Sequence, residues 1–335
     1  MYAFYLLILA FFEVRNLPVQ RGPVLASGCI TAATQQRPSQ RFEFSHPQMG
    51  TVFRLVFYTD LDTAAASALA HRVFARVDTL NSIFSDYQPE SELNRLSDRA
   101  GTSAPMPVSA ELEDILRRAC RFSKASDGAF DVTVGALTRL WRRAFHRQEL
   151  PDPVRLEAAR KTVGWRNIRF GRQGQVQLTQ AGTRLDLGGI APGYAADECL
   201  RLLRAAGIHR VLVDAGGDIA LGDAPPGTAG WQIETPVIGP DGKLGAEKRV
   251  LANCGITTSG ATYKYLEANG KRYSHIVDPT TGYGLTHRNL VCVQAPDATT
   301  ADAWATAISV AGEAKWKQWK KRRPELIVWV VETPL

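Results

Sequence analysis

The segment RYSHIVDPTTG, from Arg272 to Gly282, sets one imidazole, that of His275, between strand-like residues and a turn rich in hydroxyls. Imidazole titrates near neutral pH, so a histidine in such company can accept a proton or contact a phosphate. A buried histidine bonded to backbone is the competing reading of the same residues. The other histidines (His46, His71, His146, His209 and His287) lack comparable neighbours and read as surface or packing residues. Downstream, Asp302 and Thr306 stand four residues apart in a helical stretch, TTADAWATAISVAG, and so share a helix face. A carboxylate and a hydroxyl on one face can hold a hard cation such as Mg2+, which takes oxygen ligands and keeps waters or phosphates in its other positions. Helix capping explains DATTADAW equally well.

Three glycine-bearing turns accompany these residues: DLGGIAPG (Asp186–Gly193), DAGGDI (Asp214–Ile219) and TTSG (Thr257–Gly260). In the first, the glycines permit close backbone approach to a ligand, and the helix that follows offers free N–H groups to an anion. There is no GxGxxG after a strand and no GxxxxGK[ST], so the common dinucleotide and triphosphate cradles are missing. One such turn is a weak signal. Three, each beside a carboxylate or hydroxyl, point to an anion or nucleotide site.

The elements that must position these groups can be read from periodicity. MGTVFRLVFYT, HRVLVDAGGDIALG, GWQIETPV, KRVLANCG, NLVCVQAP and LIVWVV have strand character, as do QVQLT and TRLDL. Long helices are predicted after Thr63 and Ser109, at APGYAADECLRLLRAAG and at TTADAWATAISVAG, with a short one after Ser91. Residues 146–165 form a polar, helix-prone excursion. Irregular alternation with hairpin-like sections predicts a mixed α+β fold with a largely antiparallel sheet and flanking helices, not a doubly wound nucleotide-binding fold.

The chain has 335 residues, 45% hydrophobic and 22% charged, which excludes disordered and fibrous classes. Its net charge of +7 is dispersed except in KWKQWKKRR (Lys315–Arg323). That run reads as a solvated helix with two docked tryptophans rather than a nucleic-acid site. None of the five cysteines forms a CxxC pair, and Cys120, Cys199 and Cys292 read as small core residues. Residues 1–41 are expected to act as an export or lipoprotein signal and tether. YAFYLLILAFF is too short to span a bilayer, and LASGC would leave Cys29 to carry a lipid. Residues 42–335 then form one domain of two intimate subdomains.

The stretches SDYQPESELNRLS, GAFDVTVGALTRLW, LDLGGIAPGYAAD, DAGGDI, ITTSGATY, RYSHIVDPTTG and ADAWATAISVAG follow the "MGT" of Met49 in an order that closely resembles the ApbE family, the FAD:protein FMN transferases. The resemblance runs from about Met49 to Gly312 and implies the family's architecture, which is T-fold-like. It also implies cleavage of FAD at its pyrophosphate, attachment of FMN through a phosphoester to a threonine of an acceptor flavoprotein, and release of AMP, with Mg2+ as cofactor. By this likeness the metal ligands are Asp302, Thr306 and the backbone carbonyl of Gly189. Flavin and nucleotide contacts fall to Met49, Tyr87, Ala129, Phe130, Asp131, Asp186, Val277 and the position of Pro192. His275 matches the histidine that activates the incoming threonine. Pro192 stands where many members carry lysine or glutamate, which removes a polar contact to FAD. Ala305 replaces an acidic residue found in some members, so the metal is expected to be held by fewer carboxylates. The family's acceptors imply membrane electron-transfer subunits or exported reductases as partners, and a place on the periplasmic side of the inner membrane. Hydrolysis of FAD to FMN and AMP, or FAD storage without turnover, are the rival readings.

Overall fold

Alternation in QRFEFSHPQ makes a half-exposed edge strand, and the apolar run TVFRLVFYT makes a buried one beside it. In the computed structural model, which describes residues 39–172, 174–260 and 265–332, these are β1 (Gln40–Gln48) and β2 (Thr51–Thr59). Helices α1 (Thr63–Phe84) and α2 (Glu92–Asp98) follow, then β3 (Met106–Pro107), α3 (Ala110–Ala125), α4 (Gly135–Arg147), α5 (Pro153–Arg160), β4 (Ile168–Phe170) and β5 (Gln175–Leu178). Next come α6 (Ala191–Ala205) and the strands β6 (Val211–Ala215), β7 (Asp218–Leu221), β8 (Trp231–Ile238), β9 (Leu244–Leu251), β10 (Gly255–Gly260), β11 (Tyr265–Ala268), β12 (Lys271–Ser274) and β13 (Asn289–Ala295). The described chain closes with α7 (Ala298–Ala311), α8 (Glu313–Trp319) and β14 (Ile327–Glu332).

Seven strands form one sheet in the order β1-β2-β6-β7-β10-β13-β14, and every neighbouring pair is antiparallel. Its two faces are covered differently. On one face, Phe53, Leu55, Val213 and Val293 share a core with Val73 and Leu80 of α1, Cys199 and Leu203 of α6 and Trp304 and Ile308 of α7. On the other, Val56, Leu212, Ile256 and Cys292 meet Trp231 and Ile233 of the β8–β9 hairpin. A third cluster joins Leu137 and Trp141 of α4 to Leu156 of α5 and to Leu266, Tyr273 and Val277 of the β11–β12 region. Burying one such aliphatic side chain contributes about 1.5–3 kcal/mol.

Several elements match their sequence signals. Ser91 and Ser109 accept backbone N–H bonds from Asn94 and Leu112 and so cap α2 and α3. Trp316 and Trp319 are buried, Trp319 edge-on to Trp304, while the lysines of that run face outward. Others differ. The cap of α1 is Asp62, which accepts from Ala65 N–H, and Thr63 is already helical. TTSG is strand β10 and not a turn, because each of its residues pairs across to β13. Met49 lies outside the strand, in the two-residue turn between β1 and β2. TRLDL contributes one isolated bridge, Arg184 to Val134, instead of a strand.

Helices α6 and α7 cross where Gly193 has no side chain. A Cβ there would sit 2.5 Å from the carbonyl oxygen of Ala298 and 3.0 Å from Cβ of Asp302. Backbone cannot step aside as a flexible side chain can. Gly193→Ala is therefore expected to destabilise the fold by about 1–3 kcal/mol, measured as a lower urea midpoint with an unchanged slope.

Candidate active site

The loop Asp186–Ile190 delivers the chain into the amino end of α6, with Pro192 in the helix's first turn, where its missing N–H costs nothing. Gly189 lies directly under Thr306 of α7: a Cβ on it would stand 2.8 Å from the Thr306 hydroxyl oxygen. One turn earlier on α7, the Asp302 carboxylate accepts a hydrogen bond from Gly193 N–H at 3.3 Å. Asp302 is only 5% exposed, and desolvation pushes its pKa well above the usual carboxylate range, with the charge of Asp218 adding to the rise. The residues predicted for the cation thus converge. Two glycines at the start of α6 let both side chains of α7 approach its backbone.

The sheet brings further groups to this place. Gly216 and Gly217 form the β6–β7 turn with φ of +77° and +106°, a conformation that suits glycine. Gly217 N–H donates to the Asp214 carboxylate at 2.8 Å. The Thr51 hydroxyl occupies the space that a Gly216 side chain would need, so this turn is wedged against the β1–β2 turn that carries Met49. Met49 itself has φ of +52°, a left-handed conformation that costs a non-glycine residue about 1–2 kcal/mol. Stored strain of this kind collects at functional loops.

Asp186 is held from two sides. One oxygen accepts from Gly188 N–H at 2.8 Å, and the other from the Thr138 hydroxyl at 2.6 Å and the Arg142 guanidinium at 2.7 Å. Arg142 also pairs with Asp86, and its guanidinium lies 4.1 Å from the centre of the Tyr87 ring. Desolvation, then the charge of Asp186, pushes Asp86 up to about 6. Arg142 and Asp86 were not singled out in the sequence. The signal was the i, i+4 pair Thr138 and Arg142 on α4, two donors that both serve Asp186. Tyr87 is 70% exposed and backed by a cation, which makes it a platform for an aromatic ligand ring. Tyr87→Ala is expected to weaken FAD binding by up to about tenfold, the worth of one aromatic stack, as read by flavin fluorescence titration.

Helix α4 also anchors the histidine loop. Trp141 donates its indole N–H to the Gly282 carbonyl at 2.8 Å and packs against Tyr273 and Tyr283. Asp278 closes the turn, accepting from Thr280 N–H at 2.8 Å and the Thr281 hydroxyl at 3.0 Å. Val277 is buried and bridges to Gly284. His275, between β12 and this turn, is exposed. The burial read as its competing explanation is therefore not found.

Asp131 needs a correction. Its carboxylate is buried and already accepts from Thr133 N–H at 2.8 Å, the Thr133 hydroxyl at 2.6 Å and Trp165 N–H at 2.8 Å. It fixes the Ala129–Phe130 turn to the Trp165 segment instead of offering an acceptor to a ligand. Phe130 is likewise buried, edge-on to Phe122, which leaves Ala129 as the half-buried member of that turn. A separate surface hollow, lined by Arg118, Tyr194, Asp197, Arg201 and Asn253, includes none of the predicted residues.

The model of the ApbE family matches residues 49–330 of the sequence. The chain belongs to the ApbE family. It is 35% identical over 290 residues to a FAD:protein FMN transferase of Treponema pallidum, covering 82% of this chain and 80% of that one. It is 34% identical over 308 residues to one of Klebsiella pneumoniae, covering 88% and 86%. Among solved ApbE structures, the flavin transferase of Vibrio cholerae superposes with a TM-score of 0.79 at 26% identity, covering 89% of this chain and 95% of that one. The flavinyl transferase of Pseudomonas stutzeri in its apo form gives 0.78 at 26% identity, covering 89% and 92%. The α+β fold with its antiparallel ApbE sheet is thus shared along nearly the whole matched length. Cys29 and the segment before it, read above as an export or lipoprotein signal, lie outside the described residues, and among those that are described no helix is long and apolar enough to cross a membrane.

Proposed function

We propose that this chain transfers FMN from FAD to a threonine hydroxyl of an acceptor flavoprotein, with Mg2+ as cofactor and AMP as the other product. One observation carries the reading: Thr306 meets Gly189 in the loop that presents Asp186, and Asp302 meets Gly193 in the first turn of α6 that this loop enters. Relatives named FAD:protein FMN transferase over most of their length support the reaction class.

The residues fit Mg2+. The donors are hard oxygens, one of them a carboxylate raised in pKa by burial and by the neighbouring charge of Asp218. Asp302, Thr306 and the Gly189 carbonyl would hold the ion. When bound, it would neutralise charge on the FAD diphosphate. The chain's own groups then do the rest. Tyr87 stacks on a ring of FAD, and Asp186, fixed by Thr138 and Arg142, accepts a hydrogen bond from a ligand hydroxyl or amine. His275 removes the proton from the acceptor's threonine hydroxyl. That oxygen forms a new bond to the phosphorus of the FMN moiety, the anhydride P–O bond breaks, and its electron pair leaves on the phosphate of AMP. The proton stays on the His275 imidazole until solvent takes it.

The test is direct. The protein is incubated with FAD, Mg2+ and a threonine-bearing acceptor domain, the acceptor is weighed by mass spectrometry and AMP is assayed. An acceptor heavier by one FMN residue, with matching AMP, supports transfer. AMP without that gain means hydrolysis, and bound FAD with neither product means storage. Membrane electron-transfer subunits or exported reductases are the proposed acceptors. A location outside the cytoplasmic membrane, with a lipid on Cys29, belongs to the same reading, and mass spectrometry of the mature amino terminus checks it.

A further inference from the structure

The strands beneath α7 face it in a fixed register. A Cβ on Gly255 of β10 would run into the backbone of Asp297 and Ala298, so the odd-numbered side of β10 points at α7. Ile256, one residue on, points away into the cluster beneath the β8–β9 hairpin. Two residues along a strand advance about 6.8 Å, and four along a helix about 6 Å. β13 leads into α7 beside Gly255, which it pairs through Ala295, so α7 runs back along β10. Thr257 therefore comes opposite Asp302. Thr257 pairs in register with Asp218 of β7, so the two side chains share that face.

We propose that Asp218 is the second carboxylate of the divalent-cation site, facing Asp302 across the gap between sheet and helix. This inference rests on the Mg2+ reading given above. Three observations lead to it. Within its length α7 contributes one carboxylate, Asp302, with Ala305 fully buried in the core. A dication held by that carboxylate alone would leave a net positive charge away from water, a costly arrangement. The Thr257 hydroxyl, in a residue 3% exposed, lies beside the Asp218 carboxylate without a hydrogen bond of standard geometry among the described residues, as expected of a group set to hold a ligand or its water. The wedged Gly216–Gly217 turn also fixes where β7, and with it Asp218, begins. The expected loss of carboxylates through Ala305 is thereby made good from the sheet.

The experiment uses Mn2+ as a paramagnetic stand-in and the full chain without FAD, with free Mn2+ read by electron paramagnetic resonance. Asp218→Asn is expected to weaken Mn2+ binding by about tenfold or more, while its unfolding midpoint in EDTA equals or exceeds that of wild type, because a like-charge repulsion is gone. Should that variant not fold, Thr257→Val is expected to weaken Mn2+ binding about tenfold. Mn2+ affinity within about twofold of wild type in whichever variant folds overturns the proposal, as does a drop in stability in EDTA with affinity intact. If wild type binds Mn2+ and only Asp302→Asn loses it, the proposal fails and the metal reading stands. If wild type binds no Mn2+, both fail.

Discussion

Asp302→Ala is expected to abolish Mg2+-dependent FMN transfer, lowering kcat/KM by about a thousandfold or more, since charge neutralisation of a transferring phosphoryl group is worth several kcal/mol. The side chain sits where no other group of α7 can replace it: Thr306 offers a neutral hydroxyl one turn away, and Ala305 is apolar and buried. AMP release with and without Mg2+ measures the effect, and turnover equal to wild type would remove Asp302 from the cation site. The same carboxylate makes the metal-free protein sensitive to pH. Its folded pKa lies above the unfolded value, as does that of Asp218 at about 7. Both therefore favour the fold at low pH, and that contribution is lost as pH rises from about 4 through 7 and beyond. In EDTA the melting temperature should fall across this window. Mg2+ should restore it by an amount that grows with pH, because the ion competes with the protons. Melting curves in EDTA and in Mg2+ across that range measure both trends.

His275→Ala is expected to slow transfer by about a hundredfold to ten-thousandfold, the usual worth of a positioned general base, while FAD affinity changes by no more than about threefold. A threonine hydroxyl is a weak nucleophile, and an exposed imidazole on a rigid turn can reach a proton on an incoming protein. The rigidity comes from Trp141, which bonds the Gly282 carbonyl, and from Asp278, which closes the turn on itself. Single-turnover transfer and a separate FAD titration divide the two effects. Equal losses in both would make His275 a binding residue and not the base.

Much of this site was legible in the sequence. Asp302 and Thr306 share a face because a helix repeats every 3.6 residues, and their company with the Gly188–Gly189 turn followed from the order of motifs shared with one family. Ser91 and Ser109 announced their helices because capping is local chemistry. Other features are not local. TTSG has the composition of a turn, yet its pairing with β13 makes it a strand, since hydrogen-bond partners far along the chain outweigh propensity. Asp131 resembled a ligand acceptor until Thr133 and Trp165 were seen to use its oxygens. Arg142 gained its role only when α4 packed beside Asp186 and Tyr87.

By itself, then, the sequence determined the α+β class, the antiparallel character of the sheet, the family and the helix face that Asp302 and Thr306 share, because those depend on periodicity and on residue order. Tertiary structure alone decided that Asp218 and Thr257 look at Asp302 and that α4 holds both Asp186 and the His275 turn. Such facts depend on strand register and on which backbones touch at glycine, and neither leaves a mark in a one-dimensional pattern.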